Sequence, residues 1–201
     1  MIATLIAGCA RLVTGATARW LVEPRSERQR VYFANHASHA DFVTIWAALP
    51  PPQRARTRPV AAADYWTTGR IKRYLAVRVF RALLIDRSGG DGARRATEQM
   101  VGALRDGDSL IIFPEGTRGD GREIAPFKSG LYHLAIAAPD AELVPVLLEN
   151  LNRVLPKGET IPVPVIARVT FGAPLAPAPG EARDALLGRA RAAVAGLREA
   201  D

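Results

Sequence analysis

Six short apolar runs recur along the chain: "RVYFAN", "RPVAAA", "ALLID", "SLIIF", "ELVPVLL" and "VIARVTF". Helix-like segments separate most of them, at Asp41 to Leu49, Gly69 to Val79, Asp91 to Leu104 and Lys128 to Ala138. A strand that is apolar at successive positions is buried on both faces, and an intervening helix returns the next strand in the same direction. The pattern predicts an α/β fold, a single domain with a largely parallel β-sheet flanked by helices. The breaker-rich "GAPLAPAPG" then leads into a closing helix from about Glu181 to Glu199. At 201 residues without repeat or flexible linker, one domain spanning 23–201 suffices.

Composition narrows the class of function. An apolar content of 48% beside 23% charged residues is that of a folded chain. Cys9 is the only cysteine, so no intramolecular disulfide can form and a reducing compartment is the expectation. With three histidines beside it, no structural zinc site is expected. The net charge is +7. Between Pro51 and Arg95, 11 Lys/Arg face only Asp64, Asp86 and Asp91. Such a field draws phosphates, anionic lipid or nucleic acid, although a general richness in Arg and Ala also accounts for much of it. No aromatic-rich basic motif, helix-turn-helix pattern or zinc knuckle is present, so nucleic acid is not an expected partner.

The first 22 residues, "MIATLIAGCARLVTGATARWLV", are apolar but interrupted by Arg11 and Arg19. They lack the uninterrupted length of a membrane span. At about 100° per residue, Ile2, Leu5, Ile6, Cys9, Leu12, Val13, Ala16 and Trp20 share one face. The expectation is an amphipathic helix over 1–22, packed on the domain or lying in a membrane interface with Trp20 near the headgroups.

Polar clusters fall where the apolar runs end, the place where α/β sheets carry their working residues. The first is "NHASHAD", Asn35 to Asp41. As a helix start, Ser38 is the cap and Asp41 returns a bond to the cap's N–H. Capping does not require His36, however. An Asp41 carboxylate on one imidazole nitrogen fixes the tautomer and leaves the other nitrogen as a base. Two further readings compete: a facial metal triad of His39, Asp41 and His133, and a nucleophilic Ser38, which lacks the G-x-S-x-G elbow.

The second cluster is "IIFPEGTRGDG". Pro114 ends a strand, and Glu115, Gly116, Thr117 and Arg118 make a tight polar turn. Gly116 allows close backbone approach, and Arg118 offers a fork of donors suited to phosphate. Arg87, after "LLID", is a second such fork and Lys128 a point charge. An ordinary exposed turn with a Glu115–Arg118 surface pair is the plainer alternative.

"NHASHAD", "LLIDR", "FPEGTR" and "LVPV" stand in the order of the four signature blocks of the glycerolipid acyltransferases, and "PFKSG" resembles the stretch after their third block. From about Val31 to Leu175 the chain resembles the 1-acylglycerol-3-phosphate acyltransferase family. The resemblance implies acyl transfer from a thioester, acyl-CoA or acyl-carrier protein, to a lysoglycerolipid hydroxyl, without a metal or redox cofactor. It makes His36 the general base and Asp41 its orienting partner. Glu115, Gly116, Thr117 and Arg118 match the acceptor-binding block, Arg87 the basic position of the second block, and Pro145 the fourth, with a structural role in the pocket wall. Backbone N–H groups near His36 are expected to stabilise the oxyanion. The implied location is peripheral, at the cytoplasmic face of a membrane. Two departures stand out: Arg81 occupies the usual place of a glycine, which makes it a candidate phosphate contact beside Lys128, and Gly119 replaces a common serine. Acylation of another lysophospholipid or polar alcohol, or a catalytically silent lipid-binding relative, are the alternatives.

Overall fold

The computed structural model describes residues 5–9, 15–38, 40–86, 90–119, 121, 123–150 and 167–199. Each apolar run forms a strand, and a further strand precedes them. The strands are β1 (Thr17–Trp20), β2 (Arg30–Ala34), β3 (Thr57–Ala62), β4 (Leu83–Ile85), β5 (Ser109–Ile112), β6 (Glu142–Glu149) and β7 (Arg168–Phe171). They form one sheet in the order β1-β7-β6-β2-β5-β3-β4. Neighbours from β6 to β4 run parallel, β7 lies antiparallel to β6, and β1 runs parallel to β7. The α/β class and the largely parallel sheet read from the alternation therefore hold.

The helices are α1 (Asp41–Ala48), α2 (Pro51–Ala55), α3 (Ala63–Trp66), α4 (Arg70–Tyr74), α5 (Gly92–Arg105), α6 (Gly130–Ala137) and α7 (Arg183–Gly196). The single helix expected from Gly69 to Val79 is α4 followed by a π turn, Leu75–Val79.

The two-residue strand period divides the core between the sheet's faces. Tyr32, Ala34 and Ile111 point to one side, where Ile45 and Trp46 of α1 and Phe80 cover them. Val31, Phe33, Leu110 and Ile112 point to the other, under Met100 and Leu104 of α5, Leu131 and Leu134 of α6, and Leu186 and Leu187 of α7. Four of the five β2 side chains are fully apolar or aromatic and all five positions are buried. Such a strand is stable only at the centre of a two-faced sheet.

The amino-terminal expectation needs correction. Residues 5–9 are helical, but Thr17–Trp20 are a strand that pairs with β7, Trp20 opposite Phe171. The Trp20 ring stacks on Phe171 with centroids 3.7 Å apart, so it packs on the domain. The misreading has a simple cause. Ala16 and Trp20 both pack against the core, and a spacing of four fits the two-residue period of a strand as well as the helical period. The remainder of the predicted helix, 1–4 and 10–14, lies outside the described residues. Among those described, no helix is long and apolar enough to cross a membrane.

Phe171 is fully buried and also meets Tyr32 edge-on at 5.9 Å. Phe171→Ala should destabilise the fold by about 3–5 kcal/mol, read as a lower urea midpoint at unchanged denaturant slope.

Candidate active site

Parallel pairing of β2 with β5 (Val31↔Leu110, Tyr32↔Ile111, Phe33↔Ile112) ends both strands at one rim of the sheet. The segments that follow, from Asn35 and from Phe113, therefore lie side by side. Asn35 is buried and continues the ladder with its side chain: Nδ2 donates to the Leu148 carbonyl at 3.0 Å, and Oδ1 accepts from the Leu148 N–H at 2.8 Å. This anchors the chain one residue before His36.

His36 Nδ1 lies 2.8 Å from Asp41 Oδ2. The carboxylate is 1% exposed and the imidazole 22%, so one partner is sealed and the other reaches the surface of a cavity. A carboxylate only accepts, so Nδ1 donates this bond, and in the neutral imidazole the lone pair is then on Nε2. The same Oδ2 accepts from the N–H groups of Ala37 at 2.7 Å and Ser38 at 2.9 Å. Oδ1 is buried without a hydrogen-bond partner among the described residues. Asp41 thus gathers the turn around itself and aims the imidazole in one step.

Asp41 returns a bond to the Ser38 N–H, as the capping pattern predicts, but Ser38 is not the cap. α1 begins at Asp41 with Ala40 in the cap position and no side-chain cap bond; Ser38 Oγ instead accepts from the Ala40 N–H at 3.2 Å. The three-residue interval is used by a tight turn preceding the helix.

The turn after β5 is fastened to the same place. Glu115 is buried, and its Oε1 accepts from the His36 N–H at 2.7 Å while Oε2 accepts from Ala125 N–H at 2.9 Å. The Gly119 N–H donates to the His36 carbonyl at 2.8 Å. Both backbone groups of His36 are thereby held by the 115–119 segment. Phe113 stacks on the imidazole, centroids 4.2 Å apart and planes 19° apart. Gly116 has φ +75°, and a Cβ there would come within 2.6 Å of Lys128 Nζ. The glycine is required twice, by its backbone and by the lysine lying over it.

His36 opens on a cavity of about 1520 Å³. Phe113, Gly116, Thr117, Arg118 and Lys128 line it near the histidine, and apolar side chains such as Met100, Val101, Leu131 and Leu187 line its extension between α5, α6 and α7. Thr117, Arg118 and Lys128 are exposed toward this space.

Three expected residues are elsewhere. Glu115 does not line the cavity and is not a surface partner of Arg118; it stands behind His36, committed to backbone donors. Arg81, with φ +51°, precedes β4 and so lies at the opposite rim, where its guanidinium donates to the Ala55 carbonyl at 2.6 Å and to Asp108 Oδ1 at 3.2 Å. It is not a contact in this cavity. Pro145 sits within β6 opposite Phe33, buried in the sheet and not in the cavity wall. Arg87 and His39 lie outside the described residues. Exposed His133 on α6 also lines the cavity, and no three His, Cys, Asp or Glu side chains gather to hold a metal among the described residues. Sequence reading missed Phe113 as the ring behind the imidazole. Its one available signal was an aromatic residue at the end of a strand beside the motif.

Comparison with known proteins follows the same residues. The acyltransferase family model matches 21–149. The 1-acyl-sn-glycerol-3-phosphate acyltransferase of Escherichia coli (strain K12) is 33% identical over 136 residues, 61% of this chain and 50% of that protein. The protein of the same name from Limnanthes alba is 32% identical over 148 residues, 71% of this chain and 50% of its own length. This chain thus spans about half the length of these curated relatives. In fold, it is similar to the crystal structure of the 1-acyl-sn-glycerophosphate acyltransferase PlsC from Thermotoga maritima. The TM-score is 0.77 at 19% identity, covering 99% of this chain and 78% of that one.

Replacing Glu115 with Ala leaves two part-buried bonds unmade, those from the N–H groups of His36 and Ala125. Stability should fall by about 1–3 kcal/mol, and amide hydrogen exchange at His36 and Ala125 should accelerate more than in the β2 core.

Proposed function

The chain belongs to the acyltransferase family, and we propose that it transfers a fatty acyl group from acyl-CoA or acyl-carrier protein to the free hydroxyl of a lysoglycerolipid. The acceptor in this reading is 1-acylglycerol-3-phosphate and the product phosphatidic acid. The observation that carries it is the 2.8 Å His36–Asp41 contact at the wall of a large cavity that also presents Arg118 and Lys128.

His36 Nε2 takes the proton of the acceptor hydroxyl as its oxygen adds to the thioester carbonyl. Asp41 holds the ring in the required tautomer and stabilises the imidazolium that forms. Collapse of the tetrahedral adduct breaks the C–S bond, and the departing thiolate recovers the proton from the imidazolium. One ester forms and one thioester is lost, with no change of oxidation state and no acyl-enzyme. The sum of these steps needs no metal or redox cofactor.

Arg118 and Lys128 are the cations available for the acceptor's phosphate, and Arg87 is a further proposed partner of the same group. The apolar extension of the cavity suits acyl chains, and its volume exceeds the usual range of about 300–1,000 Å³ for compact ligands. Lipid substrates place the proposed reaction at a membrane, with the protein peripheral to its cytoplasmic face.

The direct test is thiol release from palmitoyl-CoA with and without 1-acylglycerol-3-phosphate, the lipid product identified by mass. His36→Ala should retain its fold and lose about 10²–10⁴-fold in turnover. Acceptor-independent release, or a folded variant that keeps wild-type turnover, contradicts the assignment. Arg118→Ala should weaken acceptor binding by about 1.5–3 kcal/mol, the value of one charged hydrogen bond. An unchanged acceptor KM would remove Arg118 from the phosphate site.

A further inference from the structure

The segment from Arg70 to Val79 presents an unusual outer face. Its inward positions, Ala76 and Val79, are buried, while Ile71 is 77% exposed, Tyr74 49% and Val77 45%. These three large apolar side chains recur at intervals of three. Isolated exposed apolar residues are commonplace, but a row of them on one helical segment is not. Interleaved with the row are Arg70, Lys72, Arg73 and Arg78, and the segment contains no acid. Arg70, Arg73 and Arg78 are exposed. Lys72 lies over the Tyr65 ring, its Nζ 4.1 Å from the centroid.

We infer that this face, Ile71, Tyr74 and Val77 framed by Arg70, Arg73 and Arg78, docks the protein on an anionic lipid bilayer. Apolar side chains beside cations are the composition that enters a headgroup boundary, the first by burying area and the second by attraction to anionic lipid. A protein groove would answer the apolar row but gives no reason for four cations without an acid. A nucleic acid would answer the cations but not the exposed Ile71 and Val77.

The face is continuous with the cavity rim. Tyr65 and Trp66 of α3 line the cavity, Lys72 packs on Tyr65, and Trp66 meets Phe42 at 5.3 Å. Phe42 follows Asp41 in α1 and lines the cavity with His36. Docking through Ile71, Tyr74 and Val77 therefore brings a lipid surface to the rim of the cavity that holds His36. The use of that arrangement rests on the proposed lipid substrate, whereas the docking itself can be read without any acyl transfer.

The test is co-sedimentation of the full chain with phosphatidylcholine vesicles containing increasing phosphatidylglycerol. The wild type is compared with Arg70→Gln/Arg73→Gln/Arg78→Gln and with Ile71→Ser/Tyr74→Ser/Val77→Ser. All six positions are exposed, so circular dichroism should be unchanged. Each cation near an anionic surface contributes about fivefold to partitioning, so the charge variant should bind roughly 100-fold more weakly. The apolar variant should lose the binding that survives high salt. Turnover of a short-chain, water-soluble acceptor should be preserved in both. Wild-type partitioning by both variants, or no partitioning by the wild type, overturns the proposal even if His36-dependent turnover is intact. Unchanged vesicle binding with weakened capture of acyl-carrier protein would also overturn it, assigning the face to a protein partner. Absent turnover with the predicted vesicle binding would instead count against the acyl-transfer reading alone.

Discussion

The arrangement depends on one pairing, β2 beside β5 in parallel. Parallel strands end at the same rim, so the residues after Ala34 and those after Ile112 become neighbours although about eighty positions separate them in the chain. The β2–β5 register is sealed by the apolar residues of both faces. A one-residue slip would turn Val31 and Phe33 away from α5, α6 and α7 and expose their cavity to the wrong side chains. The precision of the rim is therefore inherited from the core.

Buried Glu115 converts that proximity into a fixed geometry. Its carboxylate joins the two loops, each oxygen accepting a backbone donor from a different one. The Gly119 N–H completes the clamp on the His36 carbonyl. Asp41 then fixes the imidazole from the other side, accepting from the ring and from the following two N–H groups through one oxygen. Two buried carboxylates hold the histidine, one by its backbone and one by its ring.

Much of this was readable where local chemistry and tertiary demand agree. Continuous apolar runs announced β2, β5 and β6 because both faces of those strands are covered. The His36–Asp41 pair was readable because the turn between them is short enough to be local. Thr17–Trp20 was not, since its apolar spacing suits either period and only the free edge of β7 decides between them. Glu115 was hidden by convention: a glutamate in a glycine-containing turn reads as solvent-facing, and of its two backbone donors one lies 79 residues away and the other ten residues on in the same loop. Arg81 shows the converse. It stands close in sequence to the "LLIDR" block, but β4 lies between, and three extended residues at about 3.3 Å each carry the chain from one rim to the other.

The hydrogen-bond inventory around His36 also bears on how charge would be stabilised in the proposed reaction. Backbone N–H groups were the expected oxyanion donors, and five of those around His36 have acceptors within the protein. Those of Ala37 and Ser38 serve Asp41, that of His36 serves Glu115, and those of Gly116 and Gly119 serve the Phe113 and His36 carbonyls. Turning any of them toward substrate would dismantle the clamp that aims the imidazole. The cavity-lining groups near the histidine that carry donors outside this clamp are Thr117, Arg118 and Lys128. Thr117 and Arg118 belong to the 115–119 segment that holds His36, and Lys128 is tied to the same scaffold, since its N–H donates to the Pro114 carbonyl at 2.8 Å and its side chain lies over Gly116. In the proposed reaction a cation held there, besides being available to the acceptor's phosphate, would meet developing negative charge without competing for the bonds that hold His36. The left-handed Gly116 is what permits that approach, so the smallest residue of the turn sets where its positive charge can stand.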